Sequence, residues 1–163
     1  MRRDSEELTD QVVLDICERI ELAAAELYHF FASHFANDTV IAELWSKMAA
    51  DEENHARQFD LARKLRKGLV AGLKVDRTHA DKALELSSSI LDKVREHPPA
   101  LVDALHLAIR LEEHFSRFHM DCVALFCDES SQKMFRAMMA ADEGHIQRLR
   151  TVYDRLLQTG TQA

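Results

Sequence analysis

The chain has 163 residues, a formal net charge of −7 and a 47% share of hydrophobic residues. This length suits one globular domain with a real core, and the composition excludes an intrinsically disordered chain. The acidic charge argues against nucleic acid and anionic membrane surfaces as partners. Because the chain has only four glycines and two prolines, long helices are favoured over a many-turned β fold.

Signals for export or for a membrane location are weak in this sequence. No run of residues is long and apolar enough to span a bilayer, and residues 1–7 lack the apolar core of a signal peptide. The three cysteines, Cys17, Cys122 and Cys127, form no C-x-x-C pair, so neither a disulfide framework nor a cysteine zinc site is expected. We therefore expect a cytoplasmic protein without a membrane partner.

Four long segments carry helical periodicity. Helices are predicted over residues 9–36 and 40–67, with the cap-forming residues 37–39 between them. Glycines interrupt residues 68–78, and a shorter helix is predicted over residues 81–96 with Thr78 as its cap. Pro98 and Pro99 end that helix, and two more helices are predicted over residues 100–126 and 132–157 with a cap cluster at 128–131.

The spacing of these segments predicts the topology. Short loops join antiparallel neighbours, and one long connection between the second and third long helices is the ferritin-like variant of the four-helix bundle. We therefore predict an all-α fold, an antiparallel ferritin-like four-helix bundle with one long crossover that contains a short extra helix, as a single domain over residues 1–163. A weak repeat, MAADE at residues 48–52 and 139–143, indicates two copies of one helix pair.

An acidic residue three positions before a histidine places both side chains on one helix face, where they can reach one metal ion. This short motif is weak evidence alone, because a chain of this composition contains it by chance. It occurs five times, at Glu26/His29, Glu52/His55, Asp76/His79, Asp103/His106 and Asp142/His145.

The spacing of core positions separates these five pairs, because a bundle helix presents its core residues at alternating steps of three and four. In two helices an otherwise apolar row holds one acid and one histidine near its middle. These rows are Ile41, Trp45, Met48, Glu52, His55, Phe59, Ala62 and Phe135, Met138, Asp142, His145, Leu149, Val152, Leu156. The other three pairs lie beside the core row, in the crossover or on the opposite face.

The remaining two long helices each add one core carboxylate in the same way. Their rows are Leu14, Cys17, Glu21, Ala24, Tyr28, Phe31, Phe35 and Leu101, Leu105, Ala108, Glu112, Phe115, His119, Cys122, Phe126. Every long helix thus places an acid in mid-core, and no lysine or arginine occupies a mid-core position of these rows.

Four buried carboxylates without partners would be very costly, since each loses its hydration and they repel one another. Two divalent ions would neutralise them, and carboxylate with imidazole suits iron, manganese or zinc rather than calcium. Di-iron bundle proteins use this donor set, with one Glu from each of two helices and Glu-x-x-His from each of the other two.

Two neighbouring acids compete with the chosen ones. Glu113 belongs to a row of Val102, His106, Ile109, Ser116 and Met120, and we prefer Glu112. Glu143 belongs to a row with two arginines, and we prefer Asp142, whose shorter side chain would hold its metal less firmly. Both alternatives stay open at this point.

At these residues the chain resembles the rubrerythrin branch of the ferritin-like superfamily, over about residues 15–59 and 104–156. The run AIRLE at residues 108–112, with His119 seven positions after Glu112, is similar to the third-helix motif of that family. Glu21 with Tyr28 resembles the first-helix version. The run HIQRL at 145–149, with Tyr153, resembles the start of the fourth-helix tail.

The resemblance implies that the metal ligands are Glu21, Glu52, His55, Glu112, Asp142 and His145. The sequence departs from the family pattern at three positions and in the absence of one motif. Asp142 stands where the family has Glu, and His119 replaces a tyrosine. Phe115 replaces an extra glutamate, and the paired C-x-x-C motifs of the usual rubredoxin domain do not occur. His119 is therefore a further ligand, a partner of a ligand or a satisfied core histidine, and peroxidase activity fed by an attached electron carrier is in doubt.

The leading functional hypothesis is an oxidoreductase with two metal ions, most simply Fe, with Mn or Zn as alternatives. It would couple Fe(II) oxidation to reduction of dioxygen or peroxide, with an external electron donor. Tyr28 is predicted to lie near the metals, where its hydroxyl could donate a hydrogen bond. The alternatives are a non-catalytic iron-handling protein and a metal-free structural bundle, and family likeness favours a homo-oligomer, such as a dimer.

Overall fold

The structure is a computed structural model that describes residues 10–65, 77–125 and 128–160. These ranges form five α-helices and contain no strand, which confirms the predicted all-α, ferritin-like class. The helices are α1 (Asp10–His34), α2 (Thr39–Leu65), α3 (Arg77–Glu96), α4 (Leu101–Leu125) and α5 (Glu129–Gly160). None of them is long and apolar enough to cross a membrane.

The described helices fall into two compact units, with α1 to α3 in the first and α4 with α5 in the second. The prediction of a single domain over residues 1–163 stays a prediction. The predicted helix ends at Thr9, Lys67 and Phe126 and most of the glycine-containing connection lie outside the described residues.

In the first unit, α1 and α2 form an antiparallel helix pair. Asp38 caps α2, because its Oδ1 accepts hydrogen bonds from the backbone N–H groups of Val40 (3.1 Å) and Ile41 (3.2 Å). The cap was predicted from residues 37–39. The inward face of α1 buries Leu14, Ile20 and Phe31 as part of the core. The helices therefore pack through the apolar rows that their sequences predict.

The crossover helix α3 packs on α1 and buries one narrow face, made of Ala83, Ser87, Leu91 and Val94. It begins at Arg77, four residues before the predicted start at Asp81, so that Thr78 lies inside the helix and the predicted cap at Thr78 is wrong. No glycine or proline separates Arg77 from Asp81, so the helix extends one turn back past the cap-like sequence.

In the second unit, α4 follows Pro98 and Pro99 as predicted, and α5 is capped by Asp128, whose Oδ1 accepts a hydrogen bond from the Ser131 N–H at 2.8 Å. Because Asp128 is the cap, α5 begins at Glu129, three residues before the predicted start at Gln132. The helix also continues to Gly160, beyond the predicted end at Leu157. Apolar residues from both helices form the buried face of this unit, among them Leu105, Ala108, Phe115, Phe135, Met138 and Leu149.

Candidate metal centre

The first unit brings three predicted ligands together between α1 and α2. Glu21 lies in mid-α1, and Glu52 with His55 lies one turn apart on α2, so that all three face inward along the apolar rows. Their exposed fractions are 1%, 1% and 6%. The spacing of three between Glu52 and His55 puts both side chains on one face. We call Glu21, Glu52 and His55 the first half-site.

The geometry of the first half-site fits a metal ion. Ligand atoms of its three residues lie within 4.8 Å of one another. His55 Nδ1 lies 3.0 Å from Glu52 Oε2 and 3.9 Å from Glu21 Oε2. Metal–nitrogen and metal–oxygen bonds of about 2.1 Å place two adjacent ligands of one ion about 3.0–3.4 Å apart. Small side-chain adjustments would therefore seat one divalent cation among these atoms.

The second unit brings the corresponding residues of α4 and α5 together. Glu112, with an exposed fraction of 0%, faces His145, with 1%, and the separation between Glu112 Oε2 and His145 Nδ1 is 3.3 Å. Asp142 is also buried, one turn before His145 on α5. We call Glu112, Asp142 and His145 the second half-site. It repeats the acid and acid–histidine pattern of the first half-site with a shorter acid on the second helix.

His119 joins the second half-site through Asp142. Its Nδ1 lies 2.7 Å from Asp142 Oδ2, and both side chains are fully buried. An ionised carboxylate only accepts hydrogen bonds, so the His119 N–H donates to Asp142. The sequence predicted three alternative roles for His119. The structure shows contact with a predicted ligand, and the sequence could not reveal it because the two residues lie on different helices.

Burial separates the competing acids. Glu113 is half-buried and accepts a hydrogen bond at 2.5 Å from Arg150, whereas its neighbour Glu112 is fully buried. Glu143 is exposed, whereas its neighbour Asp142 is buried. A step of one residue turns a side chain by about 100° around the helix axis, and in both pairs this rotation places the second acid at the edge of the buried face or outside it. The preferred core positions of Glu112 and Asp142 are therefore occupied as predicted, and their role as ligands stays a prediction.

The discarded acid–histidine pairs lie away from these half-sites. Glu26 and His29 are exposed, and they pair with Arg95 and Glu53 respectively. Asp103 and His106 are exposed on α4. Asp76 and the side chain of His79 lie outside the described residues.

The charge of the buried groups is strongly one-sided. Across residues 11–65, 81–121 and 128–160, four carboxylates and three histidines are buried, but no lysine or arginine is. Burying an ionised carboxylate is expensive unless a cation or several hydrogen-bond donors offset it. This donor set therefore fits divalent metal ions, with carboxylate oxygens and imidazole nitrogens as first ligands.

Two aromatic side chains lie beyond the first half-site on the same helices. Tyr28 on α1 and Trp45 on α2 are fully buried, and their rings stack with centroids 5.6 Å apart and planes 24° apart. Trp45 was predicted as core, and Tyr28 was predicted to lie near the metals. Their contact with each other was not predicted.

The sequence repeat gives a misleading correspondence between the two half-sites. Matching MAADE at 48–52 with MAADE at 139–143 aligns Glu52 with Glu143, but the structure buries Glu52 and Asp142. The helical core row predicted the buried acid, Asp142, because burial depends on which helix face a residue occupies and not on its match to a repeated sequence.

All-helical architecture with two buried carboxylate–histidine half-sites defines a ferritin-like protein of the metal-binding carboxylate class. A family model described as Rubrerythrin matches residues 13–153. The chain belongs to this family. Neither the comparison with curated proteins nor the comparison with solved structures gave a match.

Proposed function

We propose that this chain is a di-iron carboxylate oxidoreductase that couples oxidation of Fe(II) to reduction of dioxygen or peroxide. One observation carries the proposal. Glu21, Glu52 and His55 converge in a buried cluster whose ligand atoms lie within 4.8 Å, and no described lysine or arginine is buried. Membership of the rubrerythrin family supports a centre of this kind.

In this proposal the six ligands are Glu21, Glu52 and His55 of the first half-site and Glu112, Asp142 and His145 of the second. Four carboxylates balance the charge of two divalent cations, and the histidines complete the ligand set. Bound iron would supply the electrons that dioxygen or peroxide takes up. Zinc and manganese suit the same ligands, and elemental analysis of the protein distinguishes the three metals.

The protein supplies orientation and exclusion of water. His119 donates a hydrogen bond to Asp142 and so holds the shorter carboxylate in one orientation. The buried Tyr28 hydroxyl is a candidate donor to a ligand or to bound oxygen. Apolar residues on either side of the ligands in each row, such as Met48 and Phe59, keep bulk water away. An external electron donor and assembly into a homodimer complete the proposal.

The test is an anaerobic Fe(II) titration followed by exposure to oxygen, with absorbance spectroscopy and elemental analysis as readouts. We expect two irons per chain and an oxo-bridged ferric absorption band after oxidation. Glu52→Gln and Glu112→Gln should lose iron, because each removes a charged ligand but keeps the shape of the side chain.

Their neighbours provide matched controls. Glu53→Gln and Glu113→Gln change acids that are 42% and 37% exposed in their side chains, and they should bind iron as the wild type does. Uptake of two irons without turnover would replace the oxidoreductase with an iron-handling protein. Failure of the chain to bind iron, manganese or zinc would leave a metal-free bundle and refute the proposal.

A further inference from the structure

The stacked rings of Tyr28 and Trp45 can undergo one-electron oxidation, a property that is not needed for packing in the core. Tryptophan and tyrosine are the aromatic side chains that lose an electron most easily, whereas phenylalanine resists oxidation. Both rings are fully buried, and the 5.6 Å separation of their centroids gives direct contact between the two π-systems. A hole formed on one ring can therefore pass to the other without a protein bridge.

The pair lies at a defined distance from the first half-site. Tyr28 follows Glu21 by seven residues on α1, and Trp45 precedes Glu52 by seven residues on α2. Since α1 and α2 are antiparallel, both rings lie on the same side of the carboxylates, about two helical turns or 10 Å along the axis. Side chains on a helix lean toward its N-terminus, so Tyr28 leans toward Glu21 and Trp45 leans away from Glu52.

The two rings also differ in how they can lose a proton. The Trp45 indole N–H is buried, and no described group of the protein accepts a hydrogen bond from it. Oxidised Trp45 therefore lacks a nearby base, keeps its proton and stays a strong oxidant. The Tyr28 phenol becomes a stable neutral radical only when it loses a proton together with its electron. These properties favour electron flow from Tyr28 to oxidised Trp45.

We propose that Tyr28 and Trp45 form a one-electron relay that serves the metal centre. The proposal rests on the proposed function for its oxidant, a peroxide. Breaking a peroxide O–O bond takes two electrons and two protons and yields two waters. When the centre supplies only one electron, the Tyr28 phenol supplies the second electron and one proton, and solvent supplies the other proton. A hole that forms on Trp45 instead passes to Tyr28, and an external one-electron donor then reduces the Tyr28 radical while a proton returns from solvent.

The first test uses the full-length, metal-free protein, so its result does not depend on the proposed function. The chain has one tryptophan and two tyrosines, Tyr28 and Tyr153, which makes each radical assignable. Laser photoionisation of Trp45 creates its radical, and transient absorption follows the tryptophanyl and tyrosyl bands. We expect the tryptophanyl signal to decay as a tyrosyl signal rises, with a first-order rate that does not change with protein concentration.

Tyr28→Phe should abolish the tyrosyl rise and lengthen the life of the tryptophanyl radical, because it removes only the hydroxyl group. Tyr153→Phe is the matched control, since Tyr153 lies on α5 and is half-buried, and it should leave the transients unchanged. Circular dichroism of both variants checks the fold. A tyrosyl rise that persists in Tyr28→Phe, or that disappears in Tyr153→Phe, would overturn the relay.

The second test adds less than one equivalent of peroxide to the iron-loaded protein and freezes the sample for electron paramagnetic resonance. A radical whose spectrum narrows with ring-deuterated tyrosine, and which is lost in Tyr28→Phe, supports the relay. If electron transfer from Tyr28 to oxidised Trp45 occurs in the metal-free protein but peroxide produces no tyrosyl radical in the iron-loaded protein, the pair does not serve the metal centre. If iron binds but neither test shows transfer, the relay fails while the proposed function stands.

Discussion

Single-residue steps decide which acids enter the core. In three places a buried acid adjoins one that is not buried: Glu52 lies between Asp51 and Glu53, Glu112 precedes Glu113, and Asp142 precedes Glu143. The step of about 100° between neighbours explains this pattern, because it carries the adjacent acid to the edge of the buried face or beyond it. Each of these three buried acids thus has an adjacent natural control, and its predicted role as a ligand can be tested by paired substitutions.

At the same scale, His119→Phe is expected to weaken metal binding. The change keeps a flat buried ring but removes the donor to Asp142 Oδ2, so that the shorter carboxylate loses its fixed orientation. Loss of such a supporting hydrogen bond typically lowers metal affinity about 10- to 100-fold. Isothermal titration with Mn(II) or anaerobic Fe(II) should show this loss for one of the two ions.

The matched control for His119→Phe is His106→Gln, which alters an exposed histidine on the same helix. It should bind both ions as the wild type does. Wild-type affinity in His119→Phe, with a wild-type circular dichroism spectrum, would show that the hydrogen bond to Asp142 does not position a ligand.

At the scale of elements, ion pairs around Arg63 join α1 and α2 at one end of the first unit. The Arg63 guanidinium lies 2.9 Å from Asp15, 3.0 Å from Glu18 and 2.9 Å from Asp60, and its backbone carbonyl accepts a hydrogen bond from Gln11. Hydrogen bonds to Asp60 from Lys64 and then from Arg63 lower the pKa of the Asp60 carboxyl below its ordinary value of 3.8.

This lowered pKa predicts a pH-dependent stability. The folded protein holds fewer protons at Asp60 than the unfolded chain, so the contribution of the ion pairs is present above pH 3.8 and is lost as the pH falls through the folded-state pKa. Asp60→Asn should therefore lower the melting temperature slightly at neutral pH, and this difference should shrink in acid. Melts at a series of pH values measure it.

Glu43→Gln, which changes an exposed acid on the same helix, serves as the control for Asp60→Asn. Its melting temperature should not show the pH-dependent difference from the wild type that is expected for Asp60→Asn. Since the charges around Asp60 are partly exposed, added salt should also reduce the difference. A difference that grows as the pH falls below 3.8 would contradict the assignment.

At the scale of the whole molecule, the proposed metal ligands oppose folding until metal binds. Buried carboxylates lose hydration, and the protein provides no buried lysine or arginine among its described residues. Metal that binds only the native state stabilises it, by about 2.7 kcal/mol when its concentration is 100 times the Kd. Substitution of a buried carboxylate should thus raise the stability of the metal-free chain and lower its affinity for metal.

Glu52→Gln tests this opposition. Without metal the variant should be more stable than the wild type, on the order of 1 kcal/mol, because it removes a buried charge and keeps an oxygen that can accept from His55. With Mn(II) or anaerobic Fe(II) its melting temperature should rise less than that of the wild type. Differential scanning calorimetry gives both values, and Glu53→Gln should follow the wild type in each. A destabilised metal-free Glu52→Gln would refute the argument.

Local regularities made much of the fold predictable. Scarce glycine and proline, the apolar rows and the caps at Asp38 and Asp128 are properties of short stretches of chain, and they predicted the helices and the buried faces. The helices α3 and α5 begin four and three residues before their predicted starts. Several residues near each start are compatible with both the helix and the cap.

The sequence by itself determined which residues of each helix face inward, including Glu21, Glu52, Glu112 and Asp142, because a period of 3.6 residues is a property of one helix. Only the tertiary structure decided which of these residues meet. The contacts of His119 with Asp142 and of Tyr28 with Trp45 depend on how far one helix is shifted and rotated against its neighbour. That offset results from packing of many side chains at once, and no single segment encodes it.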